Sequence, residues 1–374
     1  MFGRSLTLFK IFGIRIKVNI GWALIAAFIA WSLAQGVFPE LYAGLGATAY
    51  WWMAVAAIFG LGASIVLHEL SHSLVARAFG VPLQGITLFA LGGVAELEEE
   101  PPTPTAEFLM AIAGPAMSFA LGFAFSGLGQ AAGEARPALA GVLGYLGLLN
   151  FVLAVFNMIP AFPLDGGRAL RAIVWAVRGD YRAATRLAAR IGAGFGIALM
   201  IAGVFIAVAG SFASGLWWVL IGLFVRAAAE GADFQEEAAE QLQGRLVREL
   251  MTPDPDTVSP ELTLRRFVDE HVYRQHHDVF PVTDGGRPIA LVGLRQLKAA
   301  APDLWDHVTV GQVAAPISED NTIEASADSL EALKKMQQSR QSRLLVVDGG
   351  RLAGVLVLKD LLELIALRHQ LEGG

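Results

Sequence analysis

The chain has 374 residues, 55% of them hydrophobic, with 28 Lys and Arg against 34 Asp and Glu, and no Cys. A mean hydropathy of +0.53 excludes a disordered chain and an ordinary soluble domain, and the acidic balance excludes a nucleic-acid partner. Without Cys there can be no disulfide, thiolate metal site or cysteine nucleophile, so any metal must sit on His and carboxylates. The charge is uneven: residues 1–231 hold 13 basic and 11 acidic side chains, while 232–374 hold 15 and 23, so a net −8 is concentrated in the tail.

A helix needs about 20 apolar residues to cross the hydrocarbon, because each unpaired backbone amide in lipid costs several kcal/mol. Six stretches approach that length, at roughly 18–37, 50–78, 106–130, 139–159, 188–210 and 212–229. Arg4, Lys10, Arg15 and Lys17 precede the first, and Arg168, Arg171, Arg178, Arg182, Arg186 and Arg190 lie between the fourth and fifth. The opposite loops hold only Glu40, then Glu134 and Arg136. By the excess of Lys and Arg on cytoplasmic loops, six spans so arranged place both ends in the cytoplasm.

The second stretch runs from Trp51 to Leu67 directly into His68-Glu69-Leu70-Ser71-His72. On a helix, positions i and i+4 share a face one turn apart, so both imidazoles can reach one Zn²⁺ while Glu69 stays beside them to handle a water proton. A polar cluster that merely ties helices together is the plain alternative, and it is disfavoured where each ionisable group costs about 2–3 kcal/mol. Next, Gly85 to Leu97 is rich in strand formers around Gly92-Gly93 and is too short for a seventh span. It reads as a re-entrant hairpin beside the zinc helix, and the stretch 86–95 could hold an unwound substrate by strand addition. Gly114-Pro115 in the third span reads as a kink or a close helix contact, and Gly192-x-x-x-Gly196 as tight packing of the fifth.

After the fourth span, Asn157-Met158-Ile159-Pro160-Ala161-Phe162-Pro163-Leu164-Asp165-Gly166-Gly167-Arg168 interrupts the apolar pattern. The prolines break the helix and the glycines permit backbone conformations closed to other residues, so Asp165 can be presented from an irregular turn. It is a candidate third metal ligand, and equally a simple N-cap for a helix over 166–177. Both motifs fall near the cytoplasmic ends of their spans.

Beyond Gly231 the chain repeats itself: FPVTDGGRPIALVGLRQL (280–297) matches LLVVDGGRLAGVLVLKDL (344–361), each a strand, an Asp-Gly-Gly turn, a second strand and a helix start. Each copy has an amphipathic helix upstream, at Leu262 to Arg274 and Ser329 to Ser339.

HELSH in one span, followed about 90 residues later by PLDGGR, resembles the site-2 protease family of intramembrane zinc metalloproteases (M50-type), over most of residues 1–231. The tail resembles a tandem CBS-domain pair over about 245–370, which one branch of that family carries. The resemblance implies one zinc per chain on His68, His72 and Asp165, Glu69 as catalytic base, and Asn157 in support, polarising the scissile carbonyl. Zinc lowers the pKa of its bound water towards about 7 and polarises the carbonyl, while Glu69 takes the water proton and returns it to the leaving amine. The implied substrate is a single-span regulator in the cytoplasmic membrane, such as a transcription-factor precursor or an anti-sigma factor, cleaved in or near its transmembrane segment. For the CBS pair the family implies adenine nucleotide in the cleft or a homodimer. The usual Ser or Thr three residues before an Asp is missing, since the copies read Gly293-Leu294-Arg295-Gln296 and Val357-Leu358-Lys359-Asp360, which disfavours nucleotide.

The expected fold is a multi-span α-helical membrane protein of about six transmembrane helices with a re-entrant β-hairpin, plus a soluble α/β CBS-domain pair. The expected divisions are a membrane protease domain at 1–231, a linker at 232–244, a first CBS domain at 245–303 and a second at 304–374. The alternative is a transporter or channel with a CBS tail, which calls for ionisable groups from several spans and an internal repeat in the membrane half; the sequence shows no such repeat.

Overall fold

Each apolar run becomes a helix whose ends are set by its flanking residues. The computed structural model describes residues 5–89, 92–97, 100–275, 277–339 and 341–372, and it divides into two compact units, Met1–Phe234 and Gln235–Gly374. In the first unit, α1 (Ile20–Ser32) starts where the Asn19 side chain accepts from Gly21 N at 2.8 Å, and it continues through a π-helical turn to Leu41. Helix α2 (Ala47–Ala78) carries the HELSH segment near its C-terminal end. Helix α3 (Pro104–Ala132) is opened by Thr103, which accepts from Ala106 N, and by a proline at its first position, where a missing N–H costs nothing. Helix α4 (Pro137–Asn157) is followed by an irregular turn, then α5 (Asp165–Arg178), α6 (Tyr181–Val208) and α7 (Phe212–Leu242). Among the described residues, six segments are long and apolar enough to cross a bilayer: Gly21–Leu41, α2, α3, α4, α6 and Phe212–Ala232.

Two boundaries differ from the sequence reading for local reasons. Asp180 caps α6 by accepting from Ala183 N at 3.0 Å, so the helix begins seven residues before 188 and takes Arg182, Arg186 and Arg190 onto its first turns. Residues 232–242 of the expected linker are helical within α7, and Ala238 and Leu242 belong to the core of the second unit.

The expected hairpin forms as β3 (Leu83–Phe89) and β4 (Gly92–Leu97), with Ala90 and Leu91 outside the described residues. It belongs to a larger structure. Residues read only as a charged flank make an N-terminal hairpin, β1 (Ser5–Ile11) and β2 (Ile14–Asn19), and β2 pairs in parallel with β3. The sheet order is β1-β2-β3-β4. Its buried face, Ile14, Ile16, Ile86 and Leu88, packs on Val66 and Leu70 of α2, the turns that carry His68 and Glu69.

In the second unit the strands are β5 (Thr252–Pro253), β6 (Val279–Asp284), β7 (Arg287–Gly293), β8 (Ala315–Pro316), β9 (Thr322–Glu324), β10 (Arg343–Asp348) and β11 (Arg351–Val357). Each Asp-Gly-Gly turn places both glycines at positive φ, 55° and 82° in one copy and 55° and 77° in the other, the requirement of a two-residue hairpin turn matched to strand twist. The copies exchange edges: β5, near the start of the first copy, pairs with β11 of the second, while β8 of the second pairs with β7 of the first. Leu352 N also donates to Gly286 O at 3.1 Å, joining the two hairpins.

Candidate active site

Helix α2 presents His68 and His72 one turn apart, both buried, with ring centroids 4.9 Å apart. Helix α3 holds both rings from behind. His72 Nδ1 lies 2.6 Å from the Met110 carbonyl, which can only accept, so Nδ1 carries the proton and the Nε2 of a neutral ring presents a lone pair. His68 Nδ1 lies 2.8 Å from Ser118 Oγ, which leaves its Nε2 facing the same way. Asp165, the first residue of α5, brings Oδ2 to 3.1 Å from His68 Nε2 and 3.3 Å from His72 Nε2. The helix N-cap is Leu164, without a side-chain capping bond, so the Asp165 carboxylate is turned to the histidines rather than to its own backbone.

One ligand atom from each of His68, His72 and Asp165 falls within 4.8 Å of the others. Such a convergence is satisfied either by protonated rings or by a cation among the three atoms. The donor set fits zinc: tetrahedral bonds of about 2.0–2.1 Å separate ligand atoms by about 3.3 Å, close to the separations observed. The space in front of the rings exists because α3 has a glycine there. A Cβ on Gly114 would stand 2.2 Å from His72 Nε2 and 2.6 Å from His68 Nε2. In the state with protonated rings, burial acts to raise the Asp165 carboxyl, but hydrogen bonds and charge from His68 and His72 outweigh it and hold the group below the usual carboxylate range.

The glycines after Asp165 serve close approach rather than unusual dihedrals. A Cβ on Gly166 would lie 2.3 Å from the Met158 carbonyl, and one on Gly167 2.3 Å from Phe162 N. From the other side, a Cβ on Gly192 of α6 would lie 1.9 Å from the Phe162 carbonyl. The turn that delivers Asp165 is thus pressed between two glycine surfaces. Glu69, partly buried, stands beside the rings with β4 crossing directly over it: a Cβ on Gly93 would meet Glu69 Cγ at 2.6 Å.

Residues 56–135 and 129–203 match the pattern of peptidase family M50, and 247–303 and 310–367 match the CBS domain. The chain is 34% identical to the Rip3 protein of Mycobacterium tuberculosis over 354 residues, covering 93% of this chain and 90% of that relative. It is 30% identical to the zinc metalloprotease MJ0392 of Methanocaldococcus jannaschii over 366 residues, 97% of this chain and 96% of that one. The chain belongs to the site-2 protease family, peptidase family M50. A solved site-2 protease from Methanocaldococcus jannaschii shares 32% identity at a TM-score of 0.42, over 62% of this chain and 95% of that chain. The protease is a multi-pass membrane zinc metalloendopeptidase with a tandem CBS pair, which removes the transporter alternative.

Asn157 is placed differently from the other four. It is the last residue of α4, half-buried, and its amide donates to the Leu153 carbonyl of its own helix at 3.0 Å. Sequence reasoning also missed partners that the site depends on. The Met110 carbonyl carries no side-chain signature, Ser118 is unremarkable in a span, and the contact expected at Gly114-Pro115 turns out to be with the histidines themselves.

Proposed function

We propose that this protease hydrolyses a peptide bond in or near the transmembrane segment of a single-span regulatory protein of the cytoplasmic membrane, so that cleavage releases or destroys a signal. The observation that carries the reading is the convergence of His68, His72 and Asp165 with Glu69 beside them and a strand edge above. In this reading the three hold one zinc ion, which when bound supplies Lewis acidity towards a carbonyl and an acidified water. The Glu69 carboxylate accepts the water proton and returns it to the leaving amine. Met110 and Ser118 fix the rings with Nε2 forward, the support that metal-binding histidines require. Asn157 keeps a second amide hydrogen beyond its bond to Leu153, and we assign it to the scissile carbonyl.

Strand β3 has both edges paired, to β2 and β4, over residues 85–88, so residues 86–88 have no edge to offer a substrate. Strand β4 lies at the edge of the sheet, over Glu69. The clamp therefore narrows to β4, where an unwound substrate would add as a further strand within reach of the base. The Lys and Arg bias supports a cytoplasmic location for both termini and the CBS pair. With the nucleotide hydroxyls missing from both copies, we assign the pair to homodimerisation, and a monomeric mass in detergent would overturn that assignment.

Glu69→Gln tests the central reading. It is expected to retain zinc and to slow cleavage of a single-span substrate in liposomes by about 10²–10⁴-fold, the usual worth of a general base; undiminished cleavage would remove Glu69 from the chemistry. Comparing membrane proteomes of wild-type and Glu69→Gln cells should reveal a single-span protein that accumulates in the variant.

A further inference from the structure

Glu107 and Arg171 form a buried ion pair that the chemistry above does not use. Glu107, on the first turn of α3, is fully buried, and Arg171 of α5 is 8% exposed. Arg171 Nε donates to Glu107 Oε1 at 2.7 Å, and the second terminal nitrogen contacts the same oxygen. Its Nη1 donates to Thr185 Oγ1 of α6 at 3.4 Å, and the guanidinium lies 5.3 Å from the Phe162 ring centre and 4.8 Å from that of Tyr181. Taking two such charges out of water costs several kcal/mol each, and a well-packed apolar pair is often as stable. Stability alone is a weak reason for them.

What the pair joins is more telling. Met110, which holds the His72 ring, lies three residues after Glu107, and Gly114, which faces both Nε2 atoms, lies seven after it, on the same side of α3. Phe162 lies three residues before Asp165 and Arg171 six after it, so the guanidinium ties the turn that delivers the carboxylate, through Phe162, to the helix that the carboxylate begins. We propose that Glu107 and Arg171 are positioning residues that clamp α5 to α3 and so hold Asp165 at ligand distance from His68 and His72.

The inference rests on the metal-site reading, and the test separates the two. In the full-length protein in detergent, zinc affinity by chelator competition and the electronic absorption of the cobalt-substituted protein report the site, and size exclusion reports the fold. Glu107→Met combined with Arg171→Met removes both charges together. Arg171→Lys keeps the charge balance but loses the planar fork and the stacking on Phe162. Both variants are expected to weaken zinc binding by about 10- to 100-fold, as loss of a ligand's support does, and to distort the cobalt spectrum while the Lys variant elutes as wild type. Wild-type affinity and spectrum in the Lys variant, or in a folded double variant, would overturn the proposal; a wild-type protein that binds neither metal would overturn the metal site instead.

Discussion

At Gly114 a single hydrogen atom decides whether the site can hold a metal. Alanine is the better helix former by about 1 kcal/mol, so Gly114→Ala is expected to fold. Its Cβ would nevertheless stand 2.2 Å from His72 Nε2, in the space the ligand atoms share. Metal analysis of the purified variant should show zinc affinity lowered by at least about tenfold, and displacing the buried rings should also lower the thermal stability of the metal-free protein, by about 1–3 kcal/mol. Ser118→Ala removes the partner of His68 Nδ1 and should weaken zinc over a similar range, whereas Ser118→Thr keeps the hydroxyl and should bind as wild type. At this scale the ligands were legible because their chemistry needs ionisable side chains that an apolar span otherwise excludes. Their supports were not, since a carbonyl, a hydroxyl and a missing Cβ are common in membrane helices and gain meaning only from what stands opposite.

The sheet beside α2 shows how an element can be visible in sequence and still be read as something else. Ile14-Arg15-Ile16-Lys17-Val18 alternates with the period of a strand, but its Arg and Lys also carry the charge bias that marks a cytoplasmic flank. The strand-forming stretch Gly85 to Leu97 marks the hairpin, yet only pairing with β2 shows that β3 is interior and β4 is the edge. Neighbouring residues of a strand turn their N–H groups to opposite sides, so Val94→Pro and Ala95→Pro test the clamp as a pair. One should disturb the β3 pairing, and the other should keep the fold while raising KM for an unwinding substrate. Unchanged cleavage in both variants would remove β4 from substrate binding. The α6–α7 contact is set by glycines in the same way: a Cβ on Gly196 would stand 2.7 Å from the Gly222 carbonyl, and one on Gly222 2.5 Å from the Gly196 carbonyl. Gly222→Ala should lower stability by about 1–3 kcal/mol, the usual effect of overpacking, measurable by thermal unfolding in detergent.

Across the whole chain, the shift from a near-neutral apolar half to an acidic tail marks two kinds of structure, and every residue assigned to the chemistry lies in the Met1–Phe234 unit. The absence of Cys makes the protease its own background for topology mapping. Glu134→Cys, in the loop between α3 and α4, should react with an impermeant maleimide in intact cells, and Glu261→Cys, in the CBS unit, only after lysis; the reverse pattern would invert the orientation. The repeat in the tail was legible as two copies of one motif, but not the exchange of strands between them, because two-residue pieces such as Thr252–Pro253 and Ala315–Pro316 have no periodicity to read. That exchange means neither copy owns a complete sheet. Cutting the chain between them would leave each half short of an edge, so the tandem pair should melt in one transition. A force or a bound molecule acting on one copy is then borne by both.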